Sequence, residues 1–368
     1  MFITIIAFIL ILGFLVLVHE LGHFLVARRL GVAVEEFGLG FPPKVVSKKI
    51  GATVYSLNAI PLGGFVKIKG EDAATSGDPD SFASRPVWQR IAIVAAGVSM
   101  NIIAGWLILV VLFMAGAPME ITPDINRAYV RSSDVVVTEV LPNSPASHAY
   151  LKAGDKLIAI NGQLIDTVES FQAAVGALGG KETSVNYERA GVPISAKITP
   201  EVLSGVADGR PVIGIALSEV GLVRYPLGQA IIQGATGASG YLKRIVTAFG
   251  DIFQSLWQGA SVGDKVGGPV AIAVATGDMV ALGWRYALLF TAILSFNLAI
   301  INILPFPALD GGRIVFFIIE KLRGKPSRAE VEAWFHRIGF ALLMLLAVFI
   351  TYRDIARFGG RIWSAIIR

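Results

Sequence analysis

Four long apolar stretches divide the chain. They run from Phe2 to about Val26, from Ile91 to Ala115, from about Ala281 to Leu304 (where Pro305 ends the pattern), and from Ile338 to Tyr352. A helix needs roughly 20 apolar residues to cross the hydrocarbon of a bilayer, so each stretch predicts a transmembrane helix. The fourth is short and is tilted, or is lengthened at its start through Trp334 and Phe335. The first has no basic leader and reaches His19 without a small-residue cleavage site, so it reads as a retained helix and not a signal peptide. Between the first two spans the pattern changes to alternation. Thr53–Ile60 and Gly63–Gly70 predict strands punctuated by Pro61, Gly63 and Gly64, whereas Glu36–Val45 is apolar and rich in Gly and Pro. A small sheet touching or dipping into the membrane is expected, because irregular backbone survives at that depth only against protein or a wet cavity.

The long segment between the second and third spans reads as a folded module. Val135–Ile165 predicts strand, turn, short helix, Gly-Asp turn, strand and an Asn161-Gly162 hairpin. Val168–Leu178 predicts an amphipathic helix, and the residues after it a hairpin turning at Ala190-Gly191. The SPA, AGD and ING tripeptides in that order resemble a PDZ domain. Gly209–Leu217 would then supply a carboxylate-binding loop and strand, as in circularly permuted bacterial PDZ domains. Tyr225–Asp264 reads as a helical linker.

Composition and charge sharpen this picture. The 368 residues are 54% hydrophobic and only 16% charged, too apolar for an ordinary soluble chain of this length. There is no cysteine, which excludes disulfides and thiolate metal ligands. The net charge of +5 suits the Lys- and Arg-bearing 31–90 and 321–337 loops beside an anionic membrane face, with no basic-aromatic cluster that would suggest a nucleic-acid partner. Basic loops stay in the cytoplasm, which places both of these inside and the Gly116–Val280 segment outside. The tail, with Arg353, Arg357, Arg361 and Arg368, disagrees with that parity and is expected as an amphipathic helix on the membrane surface.

The chemistry is concentrated in "LVLVHELGHFLVA", Leu15–Ala27. Ionisable groups in an apolar run are costly unless compensated. His19 and His23 are four apart and share a helix face, with Glu20 next to the first; His-Glu-x-x-His on a helix is a zinc-protease motif. The alternative is a pair of core histidines bonded to backbone. Catalytic zinc takes three protein ligands and keeps a position for water. The third must come from His148, His336 or a carboxylate. Asp310 is the informative candidate: Pro305 and Pro307 break the helix before it, and Gly311-Gly312 frees the backbone after it. Span parity brings His19 and Asp310 to the same side of the bilayer. The alternative for Asp310 is a turn or cap aspartate. Glu20 is then the general base toward the zinc-bound water. Gly97 and Asn101, four apart on the second span, allow close helix approach and an amide hydrogen bond to an exposed carbonyl near the site. Helix packing alone is an equal alternative for this pair.

In combination, HELGH at 19–23, GVSMN at 97–101, the PDZ-like insert and NILPFPALDGG at 302–312 resemble the site-2 protease family of intramembrane zinc metalloproteases, most closely its bacterial RseP-like branch. The resemblance implies one Zn2+ per chain on His19, His23 and Asp310, with Glu20 as base. It implies that Asn302 contacts the substrate backbone and that the strand around Gly64, Phe65 and Val66 guides substrate by strand addition. It further implies regulated proteolysis, in a bacterial inner membrane, of single-pass proteins such as an anti-sigma factor or a remnant signal peptide. The PDZ domain would sit outside the cytoplasm, where it filters substrates by size or binds a peptide or C-terminus. A single PDZ domain departs from the best-known member of that branch.

The expected fold is therefore a polytopic α-helical membrane protein with four transmembrane helices, a membrane-associated β-sheet or hairpin and an inserted α+β PDZ-like domain. Its segments are 1–30, 31–90, 91–115, the PDZ domain at 127–218, a linker at 219–280, a third span with the LDG motif at 281–320, a loop at 321–337, and 338–368. A membrane zinc transporter would need polar residues along several spans, and here they cluster at one depth. An idle PDZ scaffold would leave the buried ionisable groups uncompensated, at roughly 2–3 kcal/mol each.

Overall fold

The computed structural model describes residues 2–71, 78–122, 124–178, 180–189, 191–203, 210–260, 267–325 and 329–367. Ala190, Gly209, Asp264 and Arg368 of the expectations above lie outside these residues. Two compact units are present, one formed by residues 1–111 and 231–368, the other by 112–230.

The first unit begins with helix α1 (Phe2–Arg29), followed by strands β1 (Val34–Ile50) and β2 (Thr53–Ile68) and helix α2 (Val87–Ala115). After the second unit come helices α5 (Leu227–Trp257), α6 (Pro269–Ala281), α7 (Trp284–Ile303), α8 (Asp310–Arg323) and α9 (Ala329–Ile367). Four of these helices are long and apolar enough to cross a membrane: α1, α2, α7 and Glu330–Gly360 within α9. They match the four expected spans with shifted ends. Side chains such as Leu10, Leu107, Leu345 and Phe349 lie exposed on their outer faces, as lipid-facing positions would.

α1 and α2 cross with almost no space between them. A Cβ on Gly22 would overlap the Ala96 carbonyl, so backbone meets backbone there. α7 packs on α2 through Phe296, which fills the space left by Gly105, and through Ser295 Oγ, which donates to the Asn101 carbonyl at 2.7 Å. Below the crossing, Phe24 and Ala27 of α1, Val34 and Ile68 of the strands, Ile93 and Val94 of α2 and Phe317 of α8 form one core.

The strand region differs from its expected form. Thr53–Ile60 and Gly63–Ile68 are strand as expected but run on as one, β2, and the Gly/Pro-rich Glu36–Val45 lies within its partner β1. Both strands are long and bulged, and residues 36–39 pair on one side with 64–67 and on the other with 54–57. Gly38 makes this pairing fit, because a Cβ there would press on the Phe65 ring and Ser56.

The later segments depart from expectation in part. Residues 281–320 divide where the two prolines marked the end of the third span. α7 stops at Ile303, because Pro305 and Pro307 cannot continue it, and α8 starts afresh at Asp310. The 219–280 stretch is not a helical linker throughout, since 219–223 complete a strand and α6 is a separate apolar helix. The basic tail continues α9 to Ile367 and is not a distinct surface helix. Asp354 in that tail is buried and accepts from the Gly268 and Ala271 N–H groups at 3.0 and 2.9 Å. It caps α6, whose own N-cap glycine has no side chain to do so.

The second unit contains β3 (Ala117–Glu120), β4 (Val130–Val140), α3 (Pro145–His148), β5 (Lys156–Ile160), β6 (Gln163–Leu164), α4 (Val168–Ala177), β7 (Thr183–Arg189), β8 (Val192–Ile198), β9 (Glu201–Val202), β10 (Pro211–Val212) and β11 (Ile215–Val223). The order β3-β11-β4-β5-β7-β8 forms the main sheet, with β6 on β5. These are the elements expected of the PDZ-like module, extended by β3 and by the end of β11. Asn161 and Gly162, both at positive φ, make the β5–β6 turn. Thr167 and Ser170 cap α4 reciprocally. Val135, Leu157, Phe171, Val185 and Ile213 centre the core. Asp155, almost fully buried, is held by Arg189 at 2.7 Å and by the Lys152 N–H at 2.8 Å.

Candidate metal centre and active site

The i, i+4 spacing on α1 sets His19 and His23 side by side with their Nε2 atoms 3.2 Å apart. Asp310, at the first turn of α8, brings Oδ2 to 3.1 and 3.4 Å from those two nitrogens. Three donors around a tetrahedral zinc at about 2.0–2.1 Å stand about 3.3–3.4 Å from one another, close to the triangle found here. Oδ2 of Asp310 is buried and receives no hydrogen bond, as fits an oxygen whose partner is a cation. Among the described residues this is the only cluster of His, Asp and Glu that could hold a metal ion.

The remaining ring nitrogens are also held. His23 Nδ1 donates to the Ile93 carbonyl of α2 at 2.9 Å. His19 Nδ1 lies 3.2 Å from the side-chain amide of Asn101. A proton on His23 Nδ1 leaves its Nε2 lone pair free for a cation; the same tautomer of His19 requires the Asn101 amide to turn its oxygen, buried and otherwise without a partner, toward Nδ1–H, and such outer partners tune metal affinity. The fit depends on Gly97, because a Cβ there would overlap His23 Nε2 and crowd His19. Asn101 is fully buried behind His19. Its place is therefore to orient a ligand, and the expected contact with a substrate carbonyl is not what the geometry offers.

Asp310 owes its position to tight backbone packing. A Cβ on Gly311 would overlap the Ile303 and Leu304 carbonyls, and one on Gly312 the Phe306 carbonyl. The chain can therefore fold back against the end of α7 only where no side chain intervenes. One turn on, Arg313 pairs with Glu71 just beyond β2, tying α8 to the strand region. Nothing in the sequence pattern marked that pair.

His19, Glu20, His23 and Asp310 open on a cavity of about 520 Å3, also lined by Phe65, Val66 and His336. β2 passes directly over the glutamate: a Cβ on Gly64 would stand 3.8 Å from Glu20 Cγ. Asn302, on the last turn of α7, has its amide nitrogen 3.5 Å from His19 Nε2. The arrangement thus brings together nine residues singled out in the sequence: six line the cavity, Gly64 and Asn302 lie beside Glu20 and His19, and Asn101 stands behind His19. Of the other two histidines, His148 lies on α3 in the second unit, and His336 bonds the Ala308 N–H through Nδ1 at 2.9 Å.

A helix-borne HExxH completed by an aspartate from a second helix defines a metal-dependent peptidase site. Residues 7–346 match the model of peptidase family M50, and the chain belongs to that family. It is 31% identical to the zinc metalloprotease RasP of Geobacillus kaustophilus, over 96% of this chain and 98% of that one. It is 32% identical to the regulator of sigma-W protease RasP of Bacillus subtilis, again over 96% and 98%. Among solved structures, the PDZ domain of an SdrC-like protein of Listeria innocua is 26% identical and covers 23% of this chain and 92% of that one, with a TM-score of 0.21. The protein is a zinc metalloprotease with Zn2+ as its cofactor.

Proposed function

We propose that this protein cleaves single-pass membrane proteins within the bilayer, using the site formed by His19, Glu20, His23 and Asp310. The observation that supports this most is the position of the site on helices long enough to cross a membrane. His19 and His23 lie within the apolar α1, and Asp310 follows the apolar α7 after the Leu304–Leu309 turn.

His19, His23 and Asp310 hold the zinc. When bound, the ion polarises the scissile carbonyl and acidifies the water that attacks it. The Glu20 carboxylate takes the proton from that water as its oxygen adds to the carbonyl carbon. It then delivers the proton to the amide nitrogen as the C–N bond breaks, giving a new carboxylate and amine. Asn302 stands where its amide can donate to the substrate backbone beside the reacting carbonyl. Asn101 and the Ile93 carbonyl keep the two imidazoles aimed.

A membrane helix hides its carbonyls in i to i−4 bonds and must unwind before any of them can react. Residues 64–67 pair with 36–39 on one side, and no other strand pairs with them among the described residues. That edge, running past Glu20, suits capture of the unwound segment by strand addition. Phe65 and Val66 supply its apolar lining.

The basic residues of the 31–90 and 321–337 loops support a site near the cytoplasmic face of a bacterial plasma membrane and a 112–230 unit outside it. That unit supplies none of the site residues. It acts as a size filter for substrates already trimmed outside, such as an anti-sigma factor or a remnant signal peptide. Its groove of about 640 Å3 between α4 and β11 suits a peptide or C-terminus as the alternative ligand. The deciding experiment reconstitutes the full chain in vesicles with a single-pass substrate and a Glu20→Gln control. Gly or Asn placed in the substrate's span speeds cleavage, and Leu repeats slow it. Equal rates across the series would refute cleavage of an unwound membrane segment.

A further inference from the structure

We infer that His336 of α9 is a positioning residue for the zinc ligand Asp310, fixing the turn that carries it. The inference rests on Asp310 being a ligand, and the comparison below separates the two ideas. The turn from Leu304 to Leu309 is unusual at its last step. Ala308 adopts φ 71°, a left-handed conformation that a residue with a Cβ adopts only when held there. The Ala308 N–H donates to Nδ1 of His336 at 2.9 Å, across from another helix. Ala308 is two residues before Asp310, so relaxation of this turn would carry the carboxylate away from His19 and His23.

A second contact from the same helix acts on the same turn. Gly339 is three residues after His336 and so on one face with it. A Cβ there would overlap Pro307, so α9 lies against the turn at backbone distance. One face of α9 therefore grips Pro307 and Ala308 together. The ring of His336 is seated between aromatic neighbours, with Phe316 of α8 at 5.9 Å and Phe335 at 6.0 Å between centroids. Its Nε2 is buried with no hydrogen-bond partner. Since Nδ1 accepts from the backbone, the proton of the neutral ring sits on Nε2, and the ring's one made hydrogen bond is the one to Ala308. A side chain retained at that cost is placed for Nδ1. The fourth histidine thus serves the metal without ligating it, through the backbone.

The purified full-length enzyme decides the question. Zinc affinity is read by competition with a chelator, and the coordination sphere by the visible spectrum of the cobalt-substituted protein. His336→Phe keeps the aromatic packing and removes the acceptor. It is expected to weaken zinc binding by roughly 10–100-fold, the usual effect of losing an outer partner, and to alter the cobalt spectrum. His336→Asn presents an oxygen near the Nδ1 position and should recover most of the affinity and the spectrum. His336→Gln carries its acceptor one bond further out and should not. Asp310→Ala is the reference. If it keeps zinc, the ligand assignment itself fails. If it loses zinc while His336→Phe binds as the parent does, the positioning role alone is overturned. Should the Phe variant not fold, the Asn and Gln pair still decides, and equal affinity in those two overturns the inference.

Discussion

Two halves of the metal site are built in opposite ways. His19 and His23 come from one uninterrupted helix, where a fixed rise and rotation per residue bring them together. Asp310 comes from the start of a helix that follows two prolines and a strained turn, and its place is set by contacts with α7 and α9. The helical half is local and needs only room, which Gly97 leaves for it. The other half is assembled from residues far apart in the chain. Disturbing the first should move side chains, whereas disturbing the second should move backbone.

The largest effects are expected at the proposed ligands themselves. Replacing His23 or Asp310 by alanine is expected to abolish both bound zinc and proteolysis, measured by metal analysis and a cleavage assay on the same preparations. Full occupancy in Asp310→Ala would reduce the site to its helical half. Glu20→Gln is next: on the helical half but no ligand, it should keep zinc and lower the cleavage rate by about 10²–10⁴-fold. A variant that loses zinc instead would make Glu20 a ligand.

Two glycines test the contrast more directly. Gly97→Ala meets ring atoms, which can swing aside, so zinc should fall sharply while thermal stability changes little. Gly311→Ala meets the Ile303 and Leu304 carbonyls, which cannot move without the chain. It should lose zinc and about 1–3 kcal/mol of stability together. If both variants behave alike in melting and in metal content, the two halves are not built differently. Asn101→Ala touches only the orientation of His19 and should weaken zinc by roughly 10–100-fold.

The smallest effect is expected away from both halves. Burial alone would raise the Asp155 carboxyl, but its bonds to Arg189 and to the Lys152 N–H outweigh this and hold it below the usual carboxylate range. A depressed folded-state value means stability that is present at neutral pH and lost as pH falls through the acid range. Protection of amides within 130–217, corrected for the intrinsic exchange rate at each pH, should therefore fall on acidification, and Asp155→Asn should flatten that dependence while leaving zinc content unchanged.

The same contrast governs what the sequence reveals. The pairing of His19 and His23, the four spans and the capped, glycine-punctuated elements of the second unit are local patterns, and they were legible. Asp310 was legible through Pro305, Pro307, Gly311 and Gly312, which mark a break, although not through any feature that says where the break lands. In the 34–68 region the alternation of 53–60 and 63–68 was legible as strand, but β1 and the pairing were not, because Gly38, Gly40 and the Pro42-Pro43 pair weaken the alternation there and the sheet exists only through pairing across distance. The start of α8, the Arg313–Glu71 pair and the grip of His336 on Ala308 escaped for a related reason. Each joins residues whose neighbours in sequence give no hint of the partner.

The strand at 64–67 has implications for chemistry aimed at this enzyme. With one side paired to 36–39 and the other facing no strand among the described residues, it offers a row of backbone donors and acceptors beside Glu20. A useful inhibitor would therefore copy an extended chain. Peptidomimetics of three or four residues, with a hydroxamate for the zinc and small apolar groups toward Phe65 and Val66, match that template. Stapled helices, built to imitate the intact transmembrane segment, hold their own carbonyls closed and would leave the template empty.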